Sequence, residues 1–460
     1  MWYKVALAKE SVMLSIGLMS GTSMDGIDGS LMETDGNTMI SELGHASTAY
    51  AEEFKILLHA TQFCIKQYQG QLTLAKQNYA DLGIKAYLEQ ELGLSSIASN
   101  NTLTRLKNYS IHTMKSALTL DTVITHSTKL HAELVQILLE KYNSQQREID
   151  VIGYHGQAMY HQPNQGLSLI LGDGQLLADQ LQLPVITDFR SRDLAAGGQG
   201  APFAPIYHQA LAARDGLLPA VVVNCGGIAN LTLMINQNPE DLIGFDTGPG
   251  NGLIDRLVRL RTNGLEQIDE DGRYGMHGKV HQAMLDKLRR QSIIKEGSIY
   301  FDLKPPKSLD FGDLTLIEEL NKLSLEDACA TLEAFTAATI VDSLNLLDDK
   351  TIPSTWILAG GGWKNPVLKR ELTQRLKQKL GSQIKVKEAT YFGWNNQSLE
   401  AQIFAYFAVR SLQGKPLSVP GTTNVSKPTT GGRIFLPTTG CSTAVASLLK
   451  LPAAAFLSND

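Results

Sequence analysis

One pattern occurs twice in this 460-residue chain, once in each half. An apolar run, Val12 to Met19, leads into Ser20-Gly21-Thr22-Ser23-Met24-Asp25-Gly26. A second run, Ile27 to Glu33, follows, then the turn Asp35-Gly36-Asn37 and a third run, Thr38 to Leu43. Short apolar runs separated by Gly, Asn and Asp read as an antiparallel meander of strands. Ala220 to Asn224, the turn Cys225-Gly226-Gly227-Ile228-Ala229-Asn230, then Leu231 to Ile235 and Leu242 to Phe245 repeat the arrangement. Gly226 lies 205 residues after Gly21. A repeat at half-length predicts two related domains facing each other, with a ligand in the cleft between them.

Between the two meanders the pattern changes. Glu52 to Gln69, Leu72 to Leu92 and His131 to Tyr142 carry apolar residues at helical spacing, and Asn101 to Thr128 fits neither template. Asp150 to Tyr154 reads as a strand ending at His155-Gly156-Gln157, and Leu167 to Leu171 as another. After a helix, Gln175 to Leu181, the strand Leu183 to Thr187 delivers Asp188 at its C-terminal end. A loop, Phe189 to Ala204, then carries Arg190, Arg192, Asp193 and Gly197-Gly198-Gln199-Gly200, and a helix begins near Pro205. In the second half, the strand Thr355 to Ala359 meets Gly360-Gly361-Gly362 and a helix from Asn365 to Leu380. A last helix spans Ser398 to Leu412, followed by a Pro/Gly/Thr-rich loop, Pro416 to Gly432. The expected division is residues 1–210 for the first domain and 211–460 for the second.

Composition removes several function classes. At 43% hydrophobic and 19% charged residues the chain has material for real cores and too little charge for disorder. A net charge of −5 without a dense basic run argues against nucleic-acid binding. Cys64, Cys225, Cys329 and Cys441 are far apart, which excludes a zinc ribbon or a disulfide scaffold and fits a reducing compartment. The apolar tail Thr443 to Leu457 is cut by Lys450 and Pro452 and is too short to span a bilayer. Glu10 interrupts what would be the positive region of a signal peptide. The expectation is a cytoplasmic protein with no membrane partner.

Gly-rich turns with hydroxyl residues can aim backbone N–H groups at an anion, and each is also an ordinary hairpin loop. Two such turns, joined by a strand–Gly-Gly-Gly–helix, suggest clamps on a triphosphate and a backbone floor for a nucleoside. The first turn is no P-loop, because a strand follows and no Gly-Lys-Ser/Thr is present. Asp188 occupies the address where open α/β sheets place catalytic groups. Arg190 and Arg192 flank it with charge that favours its ionised form. An ionised carboxylate there can accept a proton from water, or it can simply cap the glycine loop. His155 at a strand end is more commonly structural than a base. Asp246 can hold a metal through water or cap its turn. Hydrolase and nicotinamide motifs are absent.

Ile16 to Asp28 closely resembles the opening motif of the anhydro-N-acetylmuramic acid kinases. So do Gly153 to Gln157, Thr187 to Pro202, Asn224 to Asn230, Phe245 to Asn251 and Ala359 to Pro366, so that the resemblance runs from about residue 13 to residue 435. It implies two actin-like (ribonuclease-H-like) domains of mixed sheets flanked by helices with an active-site cleft between them. It also implies an ATP- and Mg2+-dependent enzyme of peptidoglycan recycling. Such an enzyme opens the anhydro ring of 1,6-anhydro-N-acetylmuramic acid and phosphorylates O6, giving N-acetylmuramic acid 6-phosphate and ADP. By the same resemblance Asp188 is the general base. Gly21, Thr22, Ser23, Met24, Asp25, Gly26, Ile27 and Asp28 line the ATP phosphates, with Asn224, Gly226, Gly227, Gly360, Gly361 and Gly362 on the nucleotide from the second domain. His155, Gln157 and Arg190 are the substrate candidates. Met19 and Asn224 stand where many members of the wider superfamily carry magnesium-organising aspartates, so the metal's protein contacts are left unassigned. The resemblance leaves room for a homodimer. The rival readings are another amino-sugar kinase on the same fold and a non-enzymatic nucleotide switch.

Overall fold

The computed structural model describes residues 12–21, 23–294, 297–309, 313–347 and 351–440. Their strands are β1 (Met13–Ser20), β2 (Gly26–Thr34), β3 (Ile40–Ala49), β4 (Val151–Gln162), β5 (Leu167–Leu171) and β6 (Val185–Thr187). In the second half come β7 (Ala220–Cys225), β8 (Ile228–Met234), β9 (Ile243–Pro249), β10 (Thr355–Ala359) and β11 (Lys385–Glu388); β12 (Arg433–Phe435) closes the series. Both expected meanders form. The tail from Thr443 and Cys441 lie outside the described residues.

The chain divides into two compact units. The first holds residues up to Gly200 together with Ser398–Leu417 and the segment from Thr429; the second holds Ala201–Gln397 and Ser418–Pro428. In the first unit the sheet order is β12-β6-β4-β1-β2-β3, with β5 paired to β4. The meander β1-β2-β3 is antiparallel, and β4 and β6 join β1 in parallel. In the second unit the order is β11-β10-β7-β8-β9, again an antiparallel meander extended by two parallel strands. Each unit is therefore an α/β mixed sheet with the same five-strand core, the ribonuclease-H-like arrangement.

Two helices sandwich the first sheet. Leu120–Tyr142 starts at Thr119, whose hydroxyl accepts from the Thr122 N–H while Thr122 Oγ1 accepts from the Thr119 N–H. Its Leu134 and Leu138 press on Gly29 of β2. On the other face lies the helix Leu399–Leu412, which contacts backbone directly. A Cβ on Gly17 would stand 1.9 Å from the Ala401 carbonyl oxygen, and one on Gly153 would stand 1.9 Å from that of Phe404. Glycine at these two positions is what allows helix and sheet to touch.

The second sheet is covered by the helix Pro366–Leu380, whose Leu368, Leu372 and Leu376 join Val221, Val223, Trp356 and Leu358 in one core cluster. Asn365 caps this helix, its Oδ1 accepting from Val367 N at 2.9 Å and Leu368 N at 3.1 Å. Pro366 at the first helical position needs no donor partner. Next to it packs the helix Leu325–Asp342, capped by Ser324 with Glu326 and Asp327 in its first turn.

One expectation requires correction. The strand read as ending before His155 continues to Gln162 as β4. Its register against β1 slips between Leu18 and Ser20, and Gly156 takes φ +74° there. A bulge absorbs the extra residue, so the Gly that signals a strand end marks a kink inside one.

Candidate active site

The first Gly turn is braced from beneath. Ser20 Oγ lies 2.6 Å from Gln157 Oε1, 2.9 Å from the Tyr50 hydroxyl and 3.0 Å from the Gly26 carbonyl. Gln157 Nε2 donates to the Gly21 carbonyl at 2.8 Å. The Gln157 side chain is buried, and both ends of its amide serve the turn. Met24 N–H bonds back to Gly21 O at 3.2 Å with φ +54° at Met24, and Tyr50 N–H donates to Asp25 O at 2.9 Å. Met24 and Ile27 bury their side chains in the core, so only their backbone could meet a ligand. Ser23 Oγ donates to Asp25 Oδ1 at 2.8 Å. Asp28 is raised above the usual carboxylate range, by burial first and then by the charge of Asp25. Thr22 lies outside the described residues.

At the end of β6, Asp188 is exposed and adopts φ +56°, a left-handed conformation that Asp tolerates better than most residues. Its Oδ1 accepts from Ser191 Oγ at 2.6 Å and Ser191 N at 3.3 Å. The side chain is thus held by the first turn of the following short helix, Ser191–Ala195. The arginines expected to flank it have other contacts. Arg190 Nη2 is 3.3 Å from His155 Nε2, and Arg192 Nη1 donates to Thr430 Oγ1 at 2.5 Å. His155 is buried beneath this segment with Nδ1 3.0 Å from the Gly156 carbonyl and its ring centroid 4.4 Å from that of Phe404. Burial, reinforced by the Arg190 charge, lowers its pKa to about 3. A neutral His155 that donates through Nδ1 presents Nε2 as an acceptor, matching the Arg190 contact. Its free ring-nitrogen contact is with the Arg190 guanidinium, and burial opposes its protonation. His161, further along β4, is also held neutral, at about 4, by burial and by Arg190. Sequence reasoning did not single it out, and a lone His after the expected strand end offered no signal.

The second unit places its glycines with equal economy. Gly250, Asn251 and Gly252 donate their N–H groups to the carbonyls of Gly227, Gly226 and Gly227, at 2.9, 2.9 and 3.2 Å. Gly360 has φ +92°, and a Cβ there would meet Cys225 O at 2.6 Å and Asn224 Oδ1 at 2.7 Å. A Cβ on Gly361, by contrast, would meet nothing within 4 Å, and one on Gly226 only the Ile228 carbonyl oxygen at 3.9 Å, an ordinary contact. Asn224, Gly226, Gly227 and Gly360–Gly362 therefore converge at the ends of β7 and β10. Asp246 accepts from Leu309 N at 2.8 Å, a structural bond to the Lys307–Leu309 segment. Glu333, which the sequence reading missed, is fully buried with Oε1 accepting from Asn365 Nδ2 at 2.6 Å. Burial raises its carboxyl to about 8, assisted by the nearby Asp269.

Two units of one strand order, each with a glycine turn joining its first two strands, define a member of the actin-like and sugar-kinase class of two-domain α/β proteins. Comparison narrows this to one family. The family profile for anhydro-N-acetylmuramic acid kinase matches residues 96–437. The protein of that name from Methylobacterium nodulans is 37% identical over 421 residues, covering 91% of this chain and 99% of the relative. That from Zymomonas mobilis is 38% identical over 422 residues, covering 92% and 99%. The chain belongs to the anhydro-N-acetylmuramic acid kinase family. Likeness to solved structures is looser. A ROK family glucokinase from Streptomyces griseus with glucose and AMPPNP has a TM-score of 0.37 at 11% identity, covering 86% of this chain and 99% of that one. Among the described residues no helix is long and apolar enough to cross a membrane.

Proposed function

We propose that this kinase opens the anhydro ring of 1,6-anhydro-N-acetylmuramic acid with water and transfers the γ-phosphoryl of ATP to O6, giving N-acetylmuramic acid 6-phosphate and ADP. The observation that carries the reading is the identity of 37–38% over nine-tenths of the chain with relatives named for that kinase activity. The geometry at Asp188 supports it. Ser191 occupies one carboxylate oxygen from two donors, which fixes the plane of the group while leaving it exposed to a water. In the proposed step Asp188 takes a proton from a water attacking C1. The C1–O6 bond breaks, its electron pair goes to O6, and O6 attacks the γ-phosphorus as the bond to ADP breaks.

In the first unit the exposed backbone of the 21–26 turn is assigned to phosphate. In the second unit the open positions at Gly226 and Gly361 are assigned to close approach of the nucleotide. Gln157 is assigned to shaping the turn, since its amide is already engaged. Arg190 is assigned to the lactyl carboxylate, the one charged group on the sugar. Magnesium fits the oxygen donors of the phosphate turn. Asp28, whose ionisation is opposed by Asp25, and Asp25 itself would hold it together with the phosphates. When bound it supplies neutralisation of phosphate charge.

The test is an ADP-release assay with the anhydro sugar in oxygen-18 water, with products identified by mass. One solvent oxygen on the anomeric hydroxyl and none in the phosphate is the expected outcome, read promptly against an exchange control. Label in the phosphate, or turnover only with a reducing amino sugar, would sink the proposal.

A further inference from the structure

In the second unit, the helix Leu325–Asp342 buries a carboxyl side chain, Glu333. Its Oε1 accepts from Asn365 Nδ2 at 2.6 Å. Asn365 stands just past the Gly360–Gly362 turn. Its N–H donates to the Gly362 carbonyl at 3.2 Å, and its Oδ1 caps the helix Pro366–Leu380 through Val367 N and Leu368 N. An Asn amide has one acceptor end and one donor end. The cap uses the acceptor end, and Glu333 holds the donor end. The residue between, Trp363, ties the turn to β7 by donating from Nε1 to the Val223 carbonyl at 3.1 Å.

The packing around this pair is close. A Cβ on Gly275 would stand 1.9 Å from Glu333 Oε2, and one on Gly272 would stand 2.6 Å from Asn365 Oδ1. Tyr274 and Gly275 donate their N–H groups to the Asp269 carboxylate at 2.8 and 3.0 Å, so the segment from Asp269 to Gly275 closes over the pair. Burial, reinforced by the Asp269 charge, raises the Glu333 carboxyl to about 8 against the pull of the Asn365 bond. A neutral carboxyl avoids the cost of a buried charge. Three residues on and on the same helix face, Thr336 Oγ1 donates to the Gly250 carbonyl at 2.8 Å, and the Gly250 N–H bonds to Gly227 O at 2.9 Å. One helix face thus reaches both glycine segments of the second unit.

We propose that Glu333 is a positioning residue of the kinase reaction: by holding the Asn365 amide it sets the Gly360–Gly362 turn against which the nucleotide lies, and through that turn it governs ATP binding. This rests on the assignment of the turn to the nucleotide made above. Without Glu333 the Asn365 Nδ2 loses its acceptor, and the amide is free to rotate and give up the cap. A turn whose backbone is already in place loses less freedom when the nucleotide arrives. The role is one of binding, so the effect belongs in the ATP KM and not in kcat.

The experiment measures kcat and both KM values for the wild type, Glu333→Met, Glu333→Gln, Asn365→Ser and the double variant Glu333→Met/Asn365→Ser. Glu333→Met fills the space without an acceptor and should raise the KM for ATP about tenfold, with kcat and the sugar KM within about twofold of wild type. Glu333→Gln keeps an acceptor for Asn365 and matches the neutral carboxyl, so it should recover most of the loss. Asn365→Ser keeps a helix cap but cannot reach Glu333; it should also raise the ATP KM, and it carries the test should the Met variant fail to fold. The double variant should be no worse than the poorer single one, because one residue acts through the other. An unchanged ATP KM in the folded Met or Ser variant, an equal loss in Glu333→Gln, additive losses, or a fall in kcat with KM unaltered would each overturn the proposal. Failure of the underlying reading looks different: Gly361→Val, at a position where a Cβ meets nothing within 4 Å, would then bind ATP like the wild type, removing the nucleotide from this turn and the proposal with it.

Discussion

Gly21 and Gly26 sit five residues apart in one turn, and the structure assigns them opposite sensitivities. A Cβ built on Gly21 meets only Ser23 Oγ, at 3.6 Å, which is ordinary contact with an exposed side chain. Gly21→Ala should therefore fold and melt like the wild type. On Gly26 the same atom would stand 2.5 Å from the Thr48 carbonyl oxygen and 3.1 Å from the Ala49 Cα, both backbone of the paired strand β3. That strand must move, at a cost typical of overpacking, about 1–3 kcal/mol. For a unit of this size that corresponds to roughly 2–4 °C of melting temperature per kcal/mol. If the turn holds phosphate, a methyl on Gly21 occupies space that a phosphate oxygen needs. Loss of one hydrogen bond to a charged group is worth about 1.5–3 kcal/mol, or roughly 10- to 150-fold in ATP affinity. The assays are calorimetric titration with ATP and a thermal melt on each variant. A folded Gly21→Ala protein with wild-type ATP affinity would reduce the turn to a hairpin loop. A Gly26→Ala protein melting like the wild type would refute the steric reasoning itself.

Replacing the Asp188 carboxylate by an amide keeps its size but removes the proton acceptor, so Asp188→Asn should bind ATP and sugar and release ADP about 10²–10⁴ more slowly; near-normal turnover would remove it from the role of base. Ser191→Ala should slow turnover with little change in melting temperature, since it frees the carboxylate to rotate, and an unaltered kcat would show that the Ser191 bond is incidental. Burial raises the folded pKa of Glu333 from the ordinary carboxylate range to about 8. A raised carboxyl contributes fully below its unfolded pKa and loses that contribution as pH rises through the folded value. Denaturant midpoints should accordingly fall between about pH 5 and pH 8, and Glu333→Gln should flatten that fall; parallel curves for the two proteins would exclude Glu333 as its source. His155 works in the other direction: with its pKa depressed to about 3, its contribution is complete above about 6.5 and is lost as pH falls toward 3. His155→Asn should flatten the acid limb of the stability profile, measured over pH 3–7.

Much of the local architecture was legible because its causes are local. The strand β10 begins and ends where the apolar run and the following glycines placed it, and the helix Pro366–Leu380 starts where Asn365 and Pro366 announce it. Asp188 at the end of β6 needed only the apolar run and its termination. The stretch that read as ambiguous became three elements: the helix Ser96–Tyr109, a π-helical turn Ser110–Met114 and the start of Leu120–Tyr142, the first and last each with a hydroxyl cap. Those caps are single residues among many Ser and Thr, which is why periodicity alone did not find them. The long β4 was misjudged because Gly156 has the same sequence appearance at a bulge as at a strand end.

The sequence by itself determined the duplicated meander, the position of each glycine turn and the placing of an acidic residue at a strand terminus. These follow from hydrophobic period and turn chemistry over windows of ten residues or fewer. Only the tertiary structure decided that the helix Leu399–Leu412 returns to cover β1 and β4, because that packing depends on Gly17 and Gly153 leaving room for carbonyls nearly four hundred and about two hundred and fifty residues later in the chain. The same return brings a phenylalanine ring to His155, and it is burial in that packing that leaves the imidazole neutral. Protonation and orientation are properties of an environment assembled from distant segments, and no window of sequence contains that environment.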